Sequence, residues 1–171
     1  MPANVPRVGL GWDVHRLVAD RPLRLAGVSL PHSKGLLGHS DGDVVLHAVI
    51  DAMLGAAGLG DIGQMFPDTD PAFKNADSAT LLAAARAAVE RAGWRVAQVD
   101  TIVVLEEPKL AGHKQRLRES LAGLLDLAVA DANIKAKTAE GLGEIGRCEA
   151  IACHAVAVLV PIKRKAKKSG Q

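Results

Sequence analysis

Large aromatic side chains are almost absent from this sequence, and their scarcity limits how the chain can build a core. Two tryptophans and two phenylalanines are present among 171 residues, with no tyrosine and 29 alanines. The core must therefore come from Ala, Val, Leu and Ile, which bury little area each, so we expect further burial against partner subunits. The same scarcity argues against nucleic-acid binding, because single strands are usually held by stacking bases on exposed rings.

The length and the apolar fraction of 49% fit one globular domain, which we place at residues 1–162. Five basic residues lie within 163–171, and without them the net charge changes from +2 to −3. We interpret this basic tail as a solvated, disordered end rather than as an anchor for nucleic acid or membrane. No signal peptide and no long apolar run are recognisable, so we expect a cytoplasmic protein that does not bind a membrane.

Hydrophobic periodicity predicts an α+β fold in a single domain. Alternating patterns predict strands at residues 7–15, 23–30, 99–105, 133–138 and 151–160. Helical patterns with capping residues predict helices at residues 40–57, 77–92 and 111–125, with Gly-rich or Pro-rich loops at 31–39 and 58–76. We therefore expect a two-layer sandwich, in which a mainly four-stranded sheet carries the helices on one face.

Asp13, His15 and His47 are candidate metal ligands. Asp13 and His15 are two residues apart on a predicted strand, so both side chains leave the same face. His47 lies in a polar stripe with Asp43 and Asp51 on an otherwise apolar helix, where a carboxylate can orient the imidazole. A solvated edge strand and a hydrogen-bonded surface histidine are the simpler alternatives. Three ligands with one open position are typical of catalytic zinc, and this ligand set also accepts manganese or iron.

Two further segments have a composition that suits phosphate. His39 and Ser40 precede a helix N-terminus, where backbone N–H groups and the helix dipole favour an anion. Thr138 and Glu140 lie beside a Gly-rich turn, a pattern that suits phosphate together with Mg²⁺. A capped helix explains the first segment and a solvated edge strand explains the second, and the pattern alone rejects neither alternative.

Three blocks, in order and at matching spacing, resemble one enzyme family. They are Gly11–His15, Gly35–Asp43 together with His47, and Gly60–Asp70. Over residues 7–160 the chain is similar to 2-C-methyl-D-erythritol 2,4-cyclodiphosphate synthase. The resemblance implies that the chain converts 4-diphosphocytidyl-2-C-methyl-D-erythritol 2-phosphate to the 2,4-cyclodiphosphate and CMP, in the non-mevalonate route to isoprenoid precursors. It also implies a homotrimer whose active sites are shared between neighbouring subunits.

The resemblance further implies roles for individual residues. Zinc, or manganese in its place, would be held by Asp13, His15 and His47. Glu140 would hold Mg²⁺ or Mn²⁺ with the substrate diphosphate, and His39 and Thr138 would act catalytically on the phosphate charge. The substrate-binding residues would be Ser40, Asp61, Ile62, Gly63, Phe66, Pro67, Asp68, Thr69, Asp70 and Arg147. The nucleotide-binding residues would be Leu105, Glu106, Glu107, Pro108, Lys109, Leu110, Ala111, Lys137 and Ala139.

In this chemistry the nucleophile is an oxygen of the substrate's own 2-phosphate, which attacks the β-phosphate, so no Ser or Cys nucleophile is needed. Two other function classes stay open at this point, and a third, a purely structural trimer, leaves the polar faces of two apolar elements unexplained. A metal-dependent hydrolase would use zinc-bound water as its nucleophile. A trimeric nucleotide-sensing module would bind CDP or ATP without turnover, although binding alone does not need a metal site with an open position.

Overall fold

The structure, a computed structural model, describes residues 5–162. Its seven strands are β1 (Arg7–Ala19), β2 (Leu23–Leu25), β3 (Val28–Leu30), β4 (Lys34–Leu37), β5 (Trp94–Val104), β6 (Ala132–Lys137) and β7 (Ala150–Pro161). Its helices are α1 (Val44–Ala57), α2 (Ile62–Met65), α3 (Ser78–Arg91), α4 (Lys114–Leu125) and α5 (Gly143–Gly146), with 3₁₀ turns at Pro71–Phe73 and Val129–Asp131. The basic tail at 163–171 lies outside the described residues.

Five strands form the main sheet, in the order β4-β1-β7-β5-β6. All neighbouring pairs are antiparallel except β5 and β6, which are parallel. The α+β class is confirmed, but the prediction of a mainly four-stranded sheet was wrong. The additional strand is β4, in a segment whose glycines suggested a loop. β1 extends beyond the end of β7, and its residues 16–19 pair with β4.

The single strand predicted at residues 23–30 is instead a hairpin. β2 and β3 pair with each other as a separate two-stranded sheet. The chain reverses at Ala26 and Gly27, which both have positive φ, at 51° and 77°. The buried carboxylate of Asp43 holds this turn, because it accepts hydrogen bonds from the backbone N–H groups of Ala26 (2.9 Å) and Gly27 (2.6 Å).

The two faces of the main sheet differ in burial. Helices α1, α3 and α4 cover the inner face and form the core with it. Trp94 is the one buried aromatic residue among 5–162, so the core is aliphatic as expected. On the outer face of β1, Val8, Leu10 and Trp12 are 67%, 70% and 52% exposed. Between residues 5 and 162, no helix has the length and apolar character needed to cross a membrane.

Two glycines in β1 allow helix α1 to lie directly against the strand. A Cβ atom on Gly11 would lie 1.9 Å from the carbonyl oxygen of Ala48, and a Cβ atom on Gly9 would lie 2.0 Å from that of Ala52. These oxygens belong to the helix backbone, which cannot turn aside as a side chain can. The two glycines therefore set the distance between β1 and α1.

We expect Gly11→Ala to lower the free energy of unfolding by about 2–3 kcal/mol, because the added methyl group must displace α1 from the strand. Urea denaturation followed by circular dichroism measures the change. Gly55→Ala is the matched control on α1, where no atom lies within 4 Å of the added Cβ. The control should raise stability by about 0.5–1 kcal/mol. A Gly11→Ala protein as stable as the wild type would contradict this account of the packing.

Candidate active site

Three side chains converge at one end of the inner face. Asp13 Oδ2 lies 2.9 Å from His47 Nδ1 and 3.0 Å from His15 Nε2, and the two histidine nitrogens are 3.0 Å apart. Asp13 and His15 leave the same face of β1, as the alternation predicted, and His47 reaches them from the first turn of α1. The predicted cluster is present, and its geometry can hold a metal ion.

The far nitrogen of each imidazole is held by a hydrogen bond. His15 Nδ1 lies 2.9 Å from the carbonyl oxygen of Leu37, to which it must donate. His47 Nε2 lies 3.0 Å from Ser40 Oγ and 2.9 Å from Ser78 Oγ. When both far nitrogens carry the proton, both near nitrogens present lone pairs to the cluster. Two imidazole lone pairs and a carboxylate oxygen at this spacing form a donor set that suits Zn²⁺.

The charge of Asp13 suits a cation, whereas the proton that Asp13 favours on His15 must leave when a metal ion binds. Burial opposes ionisation of Asp13, but its hydrogen bonds with His15 and His47 outweigh burial and hold the pKa of this carboxyl well below its ordinary value. Burial likewise disfavours protonated His15, yet the contact with Asp13 raises the pKa of this imidazole above its ordinary value. Asp13 is therefore an anion at neutral pH, which is the form that binds a metal.

A cleft of about 330 Å³ opens beside the cluster. Besides the three candidate ligands, it is lined by His39, Ser40, Ile62, Gly63, Phe66, Asp68, Phe73 and Leu81. The rings of Phe66 and Phe73 meet edge to face, with centroids 5.3 Å apart. Phe73 and Leu81 were not among the residues predicted for the site. Phe73 lies three residues after the last matched block and is one of only four aromatic residues, which could have marked it as a candidate for the site.

A second cleft of about 190 Å³ lies where β5 and β6 end. Its lining residues are Leu105, Pro108, Lys109, Leu110, Ala111, Lys114, Ala136, Lys137 and Thr138. Six of the predicted nucleotide-binding residues and Thr138 are thus brought together, whereas Glu106, Glu107 and Ala139 do not line it. Glu106 instead accepts hydrogen bonds from the backbone N–H groups of Ala139 (2.9 Å) and Gly141 (3.2 Å), which shapes the neighbouring turn.

The YgbB family profile matches residues 6–160. This chain belongs to the YgbB family. It is 56% identical to the 2-C-methyl-D-erythritol 2,4-cyclodiphosphate synthase of Chromobacterium violaceum, over 90% of this chain and 97% of that protein. It is 52% identical to the enzyme of the same name from Enterococcus faecalis, over 90% and 98% of the two chains. A solved 2C-methyl-D-erythritol-2,4-cyclodiphosphate synthase in a CDP-bound form is 41% identical, with a TM-score of 0.83 over 90% of this chain and 99% of that one.

In this YgbB family member, Asp43 and Asp51 do not hold the imidazole of His47 as we expected. Asp43 is the N-cap of α1, so the helix starts at Val44 rather than at Ser40, and its carboxylate is occupied by backbone N–H groups. Asp51 Oδ1 accepts a hydrogen bond from the backbone N–H of Ile62 at 2.8 Å. Backbone N–H groups near helix ends are strong donors to carboxylates, and here Asp43 and Asp51 bind such groups instead of the imidazole.

Several predicted substrate residues lie outside both clefts of the single chain: Asp61, Pro67, Thr69, Asp70 and Arg147. Asp61 caps α2 and Asp70 caps the following 3₁₀ turn. Arg147 makes an exposed two-bond pair with Glu149, at 3.0 Å for each contact. Glu140 accepts a hydrogen bond from Thr138 Oγ at 2.7 Å and is exposed beside the second cleft.

We expect the purified YgbB family member to bind about one Zn²⁺ per chain, and His15→Ala to lose most of it, because only two of three ligands remain. Elemental analysis by mass spectrometry after dialysis measures the bound metal. His32→Ala is the matched control, since His32 contacts the backbone of Lys34 and not the cluster. Equal zinc in His15→Ala and wild type would contradict the assignment.

Proposed function

We propose that this chain is a 2-C-methyl-D-erythritol 2,4-cyclodiphosphate synthase. It converts 4-diphosphocytidyl-2-C-methyl-D-erythritol 2-phosphate to the 2,4-cyclodiphosphate and CMP, and it acts as a phosphorus–oxygen lyase in the non-mevalonate pathway. The observation that carries the proposal is the convergence of Asp13, His15 and His47 at a cleft lined by His39, in a chain of the YgbB family.

The reaction forms one phosphorus–oxygen bond and breaks another. An oxygen of the 2-phosphate attacks the β-phosphorus, and the bond from that phosphorus to the oxygen shared with the α-phosphate breaks, so that CMP leaves with this oxygen. The attacking oxygen is ionised at neutral pH, so the protein needs to supply position and charge rather than a nucleophile. Cys153 fits this account because burial raises the pKa of its thiol and keeps it protonated.

The cleft residues bind and orient the reacting phosphates. A divalent ion held by Asp13, His15 and His47 would act as a Lewis acid on a phosphoryl oxygen. His39 is exposed in the cleft, where its imidazole can donate a hydrogen bond to the transferring phosphate. The backbone of His39 is fixed, since its carbonyl oxygen accepts a hydrogen bond from Asn75 at 2.7 Å. Ser40 is buried against His47, so its contribution passes mainly through that imidazole.

The second cleft is the site that we assign to the nucleotide half of the substrate. Its wall from Leu105 to Ala111 contains no aromatic ring, so the cytosine would be held by backbone groups and aliphatic side chains. Lys137 and Thr138 would contact the nucleotide phosphates. The exposed carboxylate of Glu140 would hold the Mg²⁺ or Mn²⁺ that accompanies the diphosphate.

A homotrimer with shared active sites fits two features of the single chain. The two clefts have no lining residue in common, although the substrate carries both the phosphates and the cytidine. The outer face of β1 is also apolar and exposed. Val156 of β7 pairs with Leu10 and extends this apolar surface onto the next strand. Contiguous apolar patches of this kind mark protein interfaces.

We expect His39→Ala to lower kcat about 100-fold with zinc content unchanged, because one donor to the developing phosphate charge is lost. The assay is CMP release followed by chromatography, with His32→Ala as the matched histidine control. Phosphorus NMR of the product distinguishes the rival hydrolase. Cyclisation leaves two coupled phosphorus signals, whereas hydrolysis gives uncoupled monophosphates, and that result would reject the synthase.

We expect Leu10→Glu to dissociate the assembly, because a carboxylate would be buried without a partner at the apolar interface. Light scattering should give three times the chain mass of 17.8 kDa for the wild type and a smaller mass for the variant. Val129→Glu is the control at an exposed apolar residue outside this face. A wild-type protein that is monomeric at micromolar concentration would contradict the trimer.

A further inference from the structure

Ser78, which does not line the cleft, contacts the imidazole nitrogen of His47 that faces away from the cluster. Ser78 is the first residue of α3 and is fully buried. Its Oγ donates a hydrogen bond to the carboxylate of Asp41 and lies 2.9 Å from His47 Nε2. A carboxylate can only accept, so the hydroxyl proton of Ser78 is directed to Asp41 and its lone pairs face the imidazole. The proton between Ser78 and His47 must therefore reside on Nε2.

Hydrogen-bond donors surround both carboxyl oxygens of Asp41. Its Oδ2 lies 3.3 Å from a guanidinium nitrogen of Arg24 and accepts from the backbone N–H of Ser78 at 3.3 Å. Its Oδ1 also accepts from the backbone N–H of Asp43 at 3.2 Å. The carboxylate thus lies at the N-terminus of α3, where the helix dipole stabilises an anion. Asp41 is consequently a dependable acceptor for the hydroxyl proton of Ser78.

Ser40 contacts the same imidazole nitrogen without imposing a direction. Its Oγ lies 3.0 Å from His47 Nε2 and 3.4 Å from Ser78 Oγ, and it accepts from the backbone N–H of Gly42 at 3.2 Å. A hydroxyl with these neighbours can donate to Nε2 or accept from it by rotating its proton. The choice of tautomer therefore depends on Ser78, whose proton is already committed to a carboxylate.

We propose that Asp41 and Ser78 are positioning residues, which hold His47 as the Nε2–H tautomer and so keep its Nδ1 lone pair free for a divalent metal ion. The inference rests on the metal centre of the proposed function. In the other tautomer, a proton on Nδ1 would point at Asp13 and occupy the place of the metal. The relay from Asp41 through Ser78 therefore strengthens metal binding without touching the metal.

The test measures Zn²⁺ affinity by competition with a chromophoric chelator, using the full chain. We expect Ser78→Ala to weaken Zn²⁺ binding about 10-fold, the lower end of the usual effect of removing a hydrogen bond behind a metal-bound imidazole. Ser78→Thr keeps the hydroxyl and should bind Zn²⁺ more tightly than Ser78→Ala. Ser120→Ala is the matched control, because it removes a hydroxyl that bonds the carbonyl oxygen of Ala26 at 2.7 Å, away from the cluster.

A double-mutant cycle separates the relay from a loss of packing. Asp41→Asn allows its amide to donate to Ser78 and to reverse the direction of the hydroxyl, so it should weaken Zn²⁺ binding by a similar factor. The combined variant should bind no more weakly than Ser78→Ala, because the two residues act through one hydrogen bond. The visible spectrum of bound Co²⁺ should change in Ser78→Ala and not in Ser120→Ala.

Unchanged Zn²⁺ affinity in Ser78→Ala would overturn the relay and leave the proposed function standing. Losses that simply add in the combined variant, or an equal loss in Ser120→Ala, would also overturn it, because they indicate a general effect on stability. A wild-type chain that binds no Zn²⁺ would reject the metal centre itself, and the relay with it.

Discussion

The contact between the backbone of α1 and the glycines of β1 sets the positions of the three candidate metal ligands. Gly11 lies against the carbonyl group of Ala48, and His47 is the residue just before Ala48. Asp13 and His15 follow Gly11 by two and four residues on the same face of β1. The close approach that excludes a side chain at Gly11 therefore also brings three ligand atoms to within about 3 Å of one another. The spacing of the three candidate ligands therefore depends on a contact that also packs the fold.

Local patterns predicted those elements whose character comes from their own residues. The alternation at 7–15 and 151–160 predicted two strands that are central in the sheet. β4 was missed because the glycines around it favoured a loop. The segment is a strand because it pairs with the part of β1 that extends past β7. The hairpin at 23–30 was missed because its turn is held by Asp43, sixteen and seventeen residues further on. Contacts between residues so far apart produce no periodic pattern of apolar residues in the sequence.

The candidate site divides in the same way. Asp13 and His15 followed from alternation, and His47 from its place in an apolar helix. The prediction that Asp43 and Asp51 orient His47 was wrong. Helical spacing shows which carboxylates lie near an imidazole, but it does not show which backbone N–H groups bind those carboxylates. Ser78 gave no signal, since a serine at the start of a helix is ordinary. The wall of the second cleft was predicted only by resemblance, because aliphatic and backbone contacts have no distinctive composition.

The scarcity of aromatic residues connects the core to the assembly. β1 presents Asp13 and His15 to the inner face, while Trp12 and Leu10 project from the outer face of the same strand. Burial of the outer face against other subunits would hold this strand in place from the side opposite the metal ligands. Since any association that favours the folded state adds to its stability, an aliphatic core can remain modest if the assembly covers β1. In such an assembly, the spacing of the ligands would be fixed both by helix α1 on the inner face and by neighbouring subunits on the outer face.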